Sequence, residues 1–341
     1  VSSNPLTEEE KAARLAAARE KKIHEKAQEK LIDRAADRLV KQWEAEQEFT
    51  DFEILGGDET SEDEQVAEEW LIEKLFPNGA STLLAAGPKA GKTVLGLNVS
   101  DCLLTGNKFL DEFEVRKLRE DEVILYINME VVPAEFKKMM DVRGLTGNPQ
   151  FKRMHLRGKE HNMNFRNPAI KEMMEKKIRD SGATILIIDP VGVIFSVMGI
   201  TTDSSGSNDD IREFYMLFDS LRETTNVREI LYVIHAGHAT DNMDGRQSIA
   251  RGASALAATP DALWNYYLSD SKDAFSQRML RATGRYGVRL EPTKIEYEPE
   301  TIGLKVDRSV TAFGPRKKTE QDGEFKPKAA SSTSTRPRRR A

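Results

Sequence analysis

Among its 341 residues the chain has one cysteine, Cys102, so an intramolecular disulfide is excluded and so is any cysteine-based zinc site. Aromatic residues make up only 7% of the chain, and none form a stripe interleaved with basic residues of the kind that binds nucleic acid by stacking. No apolar run approaches the roughly 18–20 residues of a membrane span. Residues 1–10 lack the basic and apolar regions of a secretory signal. Fifty-one Lys and Arg against 56 Asp and Glu give a net charge of −5, so the chain as a whole is not a basic nucleic-acid binder. No internal repeat is visible. These absences lead us to expect a protein of a reducing, cytoplasmic setting with no membrane partner. Cys102, on an expected helix, reads as a buried structural thiol.

What is present is concentrated in one segment, Ala86-Gly87-Pro88-Lys89-Ala90-Gly91-Lys92-Thr93. An apolar run, 81–86, precedes it and a helical one, 94–104, follows, the context a phosphate-binding loop requires. Gly87 and Gly91 let the backbone turn its N–H groups inward with no Cβ in the way. The helix that opens at Val94 adds a dipole favourable to an anion. Lys92 is placed to reach the β- and γ-phosphates of ATP, and the Thr93 hydroxyl to ligate Mg²⁺. The expected nucleotide-binding stretch is thus Gly87, Pro88, Lys89, Ala90, Gly91, Lys92, Thr93 and Val94. The alternative is a Gly-rich turn that only caps a helix.

Around this segment the chain falls into four parts. Residues 1–50 read as a charged helical arm: Thr7 and Glu10 form a capping box, and Leu15, Ile23 and Leu31 recur at a spacing that makes no heptad seam. Residues 51–69 form an acidic linker, and 314–341 a basic tail of disordered composition ending Arg336-Pro337-Arg338-Arg339-Arg340. Between them, 70–313 alternates apolar strands with helices. Strands are expected at 81–86, 122–129, 153–157, 184–189, 229–235, 262–268, 277–282 and 294–297. Helices are expected at 94–104, 133–143, 168–181 and 209–224. The pattern predicts an α/β domain: a mostly parallel sheet flanked by helices, with an antiparallel C-terminal extension where helices give way to closely spaced strands.

Three strand ends carry further candidates. Ile185-Leu186-Ile187-Ile188-Asp189 buries four apolar residues and ends in a carboxylate at the edge where open α/β sheets bind ligands. Asp189 is therefore expected to position Mg²⁺ through water; the alternative is a strand-ending turn at Asp189-Pro190. Val123 to Met129 leads to Glu130, which is suited to align or deprotonate an attacking water, or else to cap a helix start before Pro133. Val233-Ile234-His235-Ala236-Gly237-His238 offers His235 as a sensor of the terminal phosphate, followed by a Gly- and Ser-rich loop over 240–257.

Taken in this order, with Ala250-Arg251-Gly252-Ala253-Ser254 and Pro260-Asp261-Ala262 downstream, these segments resemble the RecA-like P-loop ATPases. Within them the likeness is to the plasmid RepA-type hexameric helicases and their phage and actinobacterial relatives. The resemblance implies a RecA-like P-loop NTPase core and a homo-oligomeric ring, often of six subunits, with ATP between neighbours. It implies that Lys92 and Thr93 bind phosphate and Mg²⁺, that Asp189 positions Mg²⁺, that Glu130 activates water and that His235 senses phosphate. The loop at 240–257 would be a DNA-facing or pore loop. Relatives carry a Lys-x-Arg pair that reaches the next subunit's site; here Arg285 matches the Arg, while Thr283 stands in the Lys position and Arg281 lies nearby. Ala236 likewise departs from a paired-His sensor. The function implied is an ATP-driven motor on single-stranded DNA, helicase or recombinase, working with other replication or recombination proteins in a bacterial or phage-infected cell. An ATP-dependent assembly scaffold or regulator is the competing class.

Overall fold

The computed structural model describes residues 70–87, 89–201, 208–235, 254–270, 273 and 275–309, together with Lys22, Lys26 and Ala36, which are helical. The chain divides into two units, Val1–Val66 and Ala67–Ala341, and every described strand belongs to the second. The acidic linker, Pro88, residues 240–253 of the loop after His235, the basic tail and nearly all of the charged arm lie outside the described residues.

A short hairpin, β1 (Trp70–Ile72) and β2 (Phe76–Pro77), precedes β3 (Ser81–Ala86) and α1 (Lys92–Thr105). Then follow β4 (Ile124–Asn128), α2 (Pro133–Val142), β5 (Phe151–His155), α3 (Pro168–Ser181), β6 (Ile185–Asp189) and α4 (Val191–Met198). The chain continues with α5 (Asn208–Thr224), β7 (Glu229–His235), α6 (Ser254–Ala258) and β8 (Ala262–Leu268). It closes with β9 (Arg278–Gly284), β10 (Arg289–Glu298) and β11 (Gly303–Val306). Nine strands form one sheet in the order β11-β10-β9-β8-β3-β7-β6-β4-β5. The six from β8 to β5 are parallel to one another, and β9, β10 and β11 continue as an antiparallel meander. The expected α/β architecture with an antiparallel extension is the one found.

Alternation along the strands builds two cores. Leu84, Ala86, Tyr126, Ile185, Ile187, Leu231 and Val233 pack with α1 on one face. Leu83, Ala85, Leu125, Ile127, Leu186, Ile188, Ile230 and Tyr232 pack on the other against α3, α4 and α5, where Phe195, Phe214, Tyr215, Tyr232, Phe218 and Phe165 form a chain of edge-on rings. Strands buried on both faces read as continuous apolar runs, which is why β3, β7 and β8 lie where the sequence predicts them.

Elsewhere the structure corrects the expectation. β5 begins two residues before the expected segment, because Phe151 opposite Ile124 anchors it in the core and the chain turns at Gly158. α4 is unanticipated: Val191–Met198 is apolar almost throughout and shows no helical period. Residues 254–257, expected to belong to a loop, lie in α6, held by the Tyr215 hydroxyl donating to Leu256 O at 3.0 Å. The hairpin β1–β2 and the edge strand β11 depend on tertiary partners. Trp264 Nε1 donates to Leu75 O (2.9 Å), and Asn98 of α1 bonds both Ile302 O and Leu304 N. Cys102 is buried in α1, and burial, with Asp101 beside it, pushes its thiol up to about 12, so it is an inert core group as expected.

Beside the start of β4, Glu122 is wholly buried and held by Arg116 through two hydrogen bonds (2.8 and 3.0 Å), by the Arg119 backbone N–H (2.7 Å) and by Arg228. Burial alone would raise its pKa, but these partners hold it down, from the ordinary 4.5 to about 2. A depressed folded-state value contributes stability that is present above the unfolded pKa and is lost as pH falls through 4.5 toward 2. Denaturant titrations at pH 7 and pH 3 should therefore show that Glu122→Gln removes roughly 1–2 kcal/mol of the wild-type acid sensitivity. Equal acid sensitivity in the two proteins would contradict this assignment.

Candidate nucleotide site

Because β3, β7, β6 and β4 are parallel, their carboxyl ends reach one edge of the sheet, and the expected residues gather there. Gly87 follows β3, its N–H donating to Tyr266 O (3.0 Å), and Ala90 N–H returns to Gly87 O (3.2 Å), closing a tight loop. Lys89 takes a left-handed φ of +58°, and Gly91, which precedes α1, has φ of +98°, a value that favours glycine. Pro88 lies outside the described residues, and Val94 is half-buried in the first turn. No acidic residue occupies the first turn of α1, so its N-terminal dipole is available to an anion.

Lys92 and Thr93 open this helix and face different carboxylates. The Lys92 ammonium lies 2.5 Å from Glu130 Oε2. His235 Nε2 lies 3.2 Å from the same oxygen. Burial pushes the Glu130 carboxyl up, but Lys92 and His235 outweigh it and hold it below the usual range, so Glu130 is ionised. The turn that presents Glu130 is built by Asn128, the last residue of β4. Its Oδ1 accepts the Glu130 and Val131 N–H groups (3.2 and 2.9 Å), its Nδ2 donates to Val131 O (2.6 Å), and Nδ2 lies 3.0 Å from His155 Nδ1.

Thr93 Oγ1 donates to Asp189 Oδ2 at 2.6 Å, and the Tyr126 hydroxyl donates to the same oxygen at 2.8 Å. Asp189 is fully buried and its Oδ1 has no partner among the described residues. Burial raises its pKa against the opposing pull of Thr93, Lys92 and Tyr126. Burial and the charge of Asp189 push the Tyr126 phenol well above its ordinary value, so it stays a donor. A hydroxyl and a carboxylate, one of whose oxygens is buried and orphaned, form a hard donor set. They fit Mg²⁺, which takes one or two protein ligands and fills its octahedron with phosphate oxygens and water. Among the described residues no three His, Cys, Asp or Glu side chains group as a closed metal cage, and such a Mg²⁺ site needs none.

Arg285 is not brought to this cluster. Gly284 pairs with Ala262 at the start of β8, so Arg285 sits at the sheet edge opposite Lys92, where its Nη1 contacts Asp261 Oδ1 (3.2 Å) and its side chain is largely exposed. The six residues of β3 alone separate the two edges by roughly 20 Å. Sequence reasoning missed three residues that the structure places at or beside the loop. They are Tyr126 and Asn128, described above, and Arg278, whose Nε donates to Ala90 O (3.1 Å) while its guanidinium lies 4.7 Å from the Tyr297 ring centroid. Only register could have revealed them, since none belongs to a motif.

The fold and the groups gathered at this edge form a candidate P-loop nucleotide site. The model of the AAA domain family matches residues 49–241, more than half of the chain, and the chain belongs to that family. Among solved structures, a KaiC-like protein from the hyperthermophilic archaeon Pyrococcus horikoshii is similar, with 14% identity and a TM-score of 0.46 over 70% of this chain and 93% of that one. No curated protein matches the chain. Among the described residues no helix is long and apolar enough to cross a membrane.

Proposed function

We propose that this ATPase is a motor of the RepA-type helicase or recombinase kind, assembled as a homo-oligomeric ring and driven along single-stranded DNA by ATP hydrolysis. The observation that carries the hydrolytic part is the shared oxygen of Glu130, in contact with both Lys92 and His235 at the edge where the phosphate loop opens. A triphosphate seated on the loop amides competes with Glu130 for the Lys92 ammonium. Once released from Lys92, the Glu130 carboxylate is an ionised acceptor that can align the attacking water and take its proton. Thr93 and Asp189 would hold Mg²⁺, which would supply positive charge to offset the charge developing on the phosphates.

The coupling to movement rests on His235. It ends β7 and touches Glu130, so loss of the γ-phosphate is felt at the residue where the chain enters the Gly- and Ser-rich loop. Arg285, exposed at the far edge, suits a neighbouring subunit's site rather than its own. A cation supplied across a boundary would stabilise transition-state charge in the adjacent nucleotide. Single-stranded DNA as the track is supported by the resemblance of the ordered motifs and by the basic C-terminal tail. Replication or recombination proteins would be the further partners.

Two experiments test this reading. Glu130→Gln should retain binding of a non-hydrolysable ATP analogue while hydrolysis falls by about 10²–10⁴-fold; loss of nucleotide binding itself would show that Glu130 is structural. Steady-state ATP hydrolysis at low salt should rise several-fold on adding single-stranded DNA, and Lys92→Ala should abolish it. Unchanged turnover together with no DNA binding at low salt would instead favour an ATP-dependent scaffold or regulator.

A further inference from the structure

The partnering of Asp189 is lopsided, and its geometry points to a role for a residue that no motif contains. We infer that Tyr126 is a positioning residue for the cation: it pins Asp189 by one oxygen so that the other stays free to reach the metal's hydration shell. The inference rests on the reading of Thr93 and Asp189 as the Mg²⁺ site and names what makes that site work.

The placement follows from strand parity. In the parallel pair of β4 and β6, Tyr126 stands opposite Ile187 and Asn128 opposite Asp189. Residues 185 and 187 pack toward α1, as do Ile124 and Tyr126, so Asp189 continues the same face one step beyond Ile187. Tyr126 therefore meets Asp189 on the diagonal, within reach of a long side chain. The ring is wedged beneath α1, packed against Phe136 and Phe151 with centroids 5.0 and 6.3 Å away. It fits there because the helix carries Gly96: a Cβ at that position would stand 2.8 Å from the Tyr126 hydroxyl.

The hydrogen bonds then divide the carboxylate. Thr93 and Tyr126 both donate to Oδ2, at 2.6 and 2.8 Å. Oδ1 is buried and receives nothing from the described residues. A buried carboxylate oxygen left unpaired costs free energy, and such orphans mark sites where a ligand supplies the missing donor. With its proton committed to Asp189, the Thr93 hydroxyl keeps its lone pairs for the metal. With only Thr93 as partner, the carboxylate could turn about its last bond; the second donor fixes the plane. Groups that orient a metal ligand in this way are commonly worth about 10–100-fold in metal affinity.

The experiment compares wild type with Tyr126→Phe, which keeps the ring and removes only the hydroxyl. Calorimetry would measure Mn²⁺ affinity for protein saturated with a non-hydrolysable ATP analogue, and separately the affinity of that analogue in EDTA. The expected result is Mn²⁺ binding weakened by about tenfold or more, with analogue affinity in EDTA unchanged. Gly96→Ala, which crowds the hydroxyl while leaving every ligand in place, should weaken Mn²⁺ in the same way and serves if Tyr126→Phe does not fold. Mn²⁺ affinity unchanged in both variants would overturn the inference. An equal loss of analogue affinity in EDTA would also overturn it, since Tyr126 would then merely support the loop. Asp189→Asn separates the two levels: if it too leaves Mn²⁺ binding intact, the metal-site reading itself fails.

Discussion

Parallel pairing is the constraint from which the site follows. Antiparallel neighbours would send alternate strand ends to opposite edges, whereas β3, β7, β6 and β4 all finish together. Four polar groups that are remote in sequence, Lys92, Glu130, Asp189 and His235, thereby come within hydrogen-bonding reach of one another or of a neighbouring residue at the same edge. The apolar bodies of these strands, buried on both faces, offset the cost of holding charged groups at their tips.

The two carboxylates are treated differently, and the difference is chemical. Glu130 is half-exposed, beside a cation, and held ionised. Asp189 is sealed in and partnered only by neutral hydroxyls at hydrogen-bond distance, so burial lifts its pKa. A carboxylate in the first setting suits contact with water and a mobile proton. One in the second, with an oxygen left bare, suits a cation such as that of a Mg²⁺-nucleotide. Glu122, at the other end of β4, shows a third solution: full burial offset by three arginines, with both oxygens engaged and neither left for a ligand.

Much of this was legible in the residues alone. The bounds of β3, β7 and β8 follow from apolar runs bracketed by turn residues, and Gly87, Gly91, Lys92, Thr93, Glu130, Asp189 and His235 announce themselves as strand-end or helix-start groups. What escaped has a common cause. α4 hides in a segment too uniformly apolar to show a period, and β1, β2 and β11 are short pieces stabilised by Trp264 and Asn98 from elsewhere in the chain. Tyr126, Asn128 and Arg278 matter through register and three-dimensional proximity, quantities that a linear pattern does not encode. Arg285 illustrates the converse: the motif identified it, and only the strand order revealed which edge it occupies.

In the proposed function the loop from Gly87 to Thr93 seats a triphosphate whose terminal phosphorus faces Glu130. A crystal structure with Mg²⁺ and a non-hydrolysable ATP analogue tests it most directly. It should show the Lys92 ammonium turned from Glu130 to the phosphates, Thr93 on the metal, and Glu130 across a water from the γ-phosphorus. A triphosphate bound elsewhere, or one seated in the loop with Lys92 still paired to Glu130, would contradict the account.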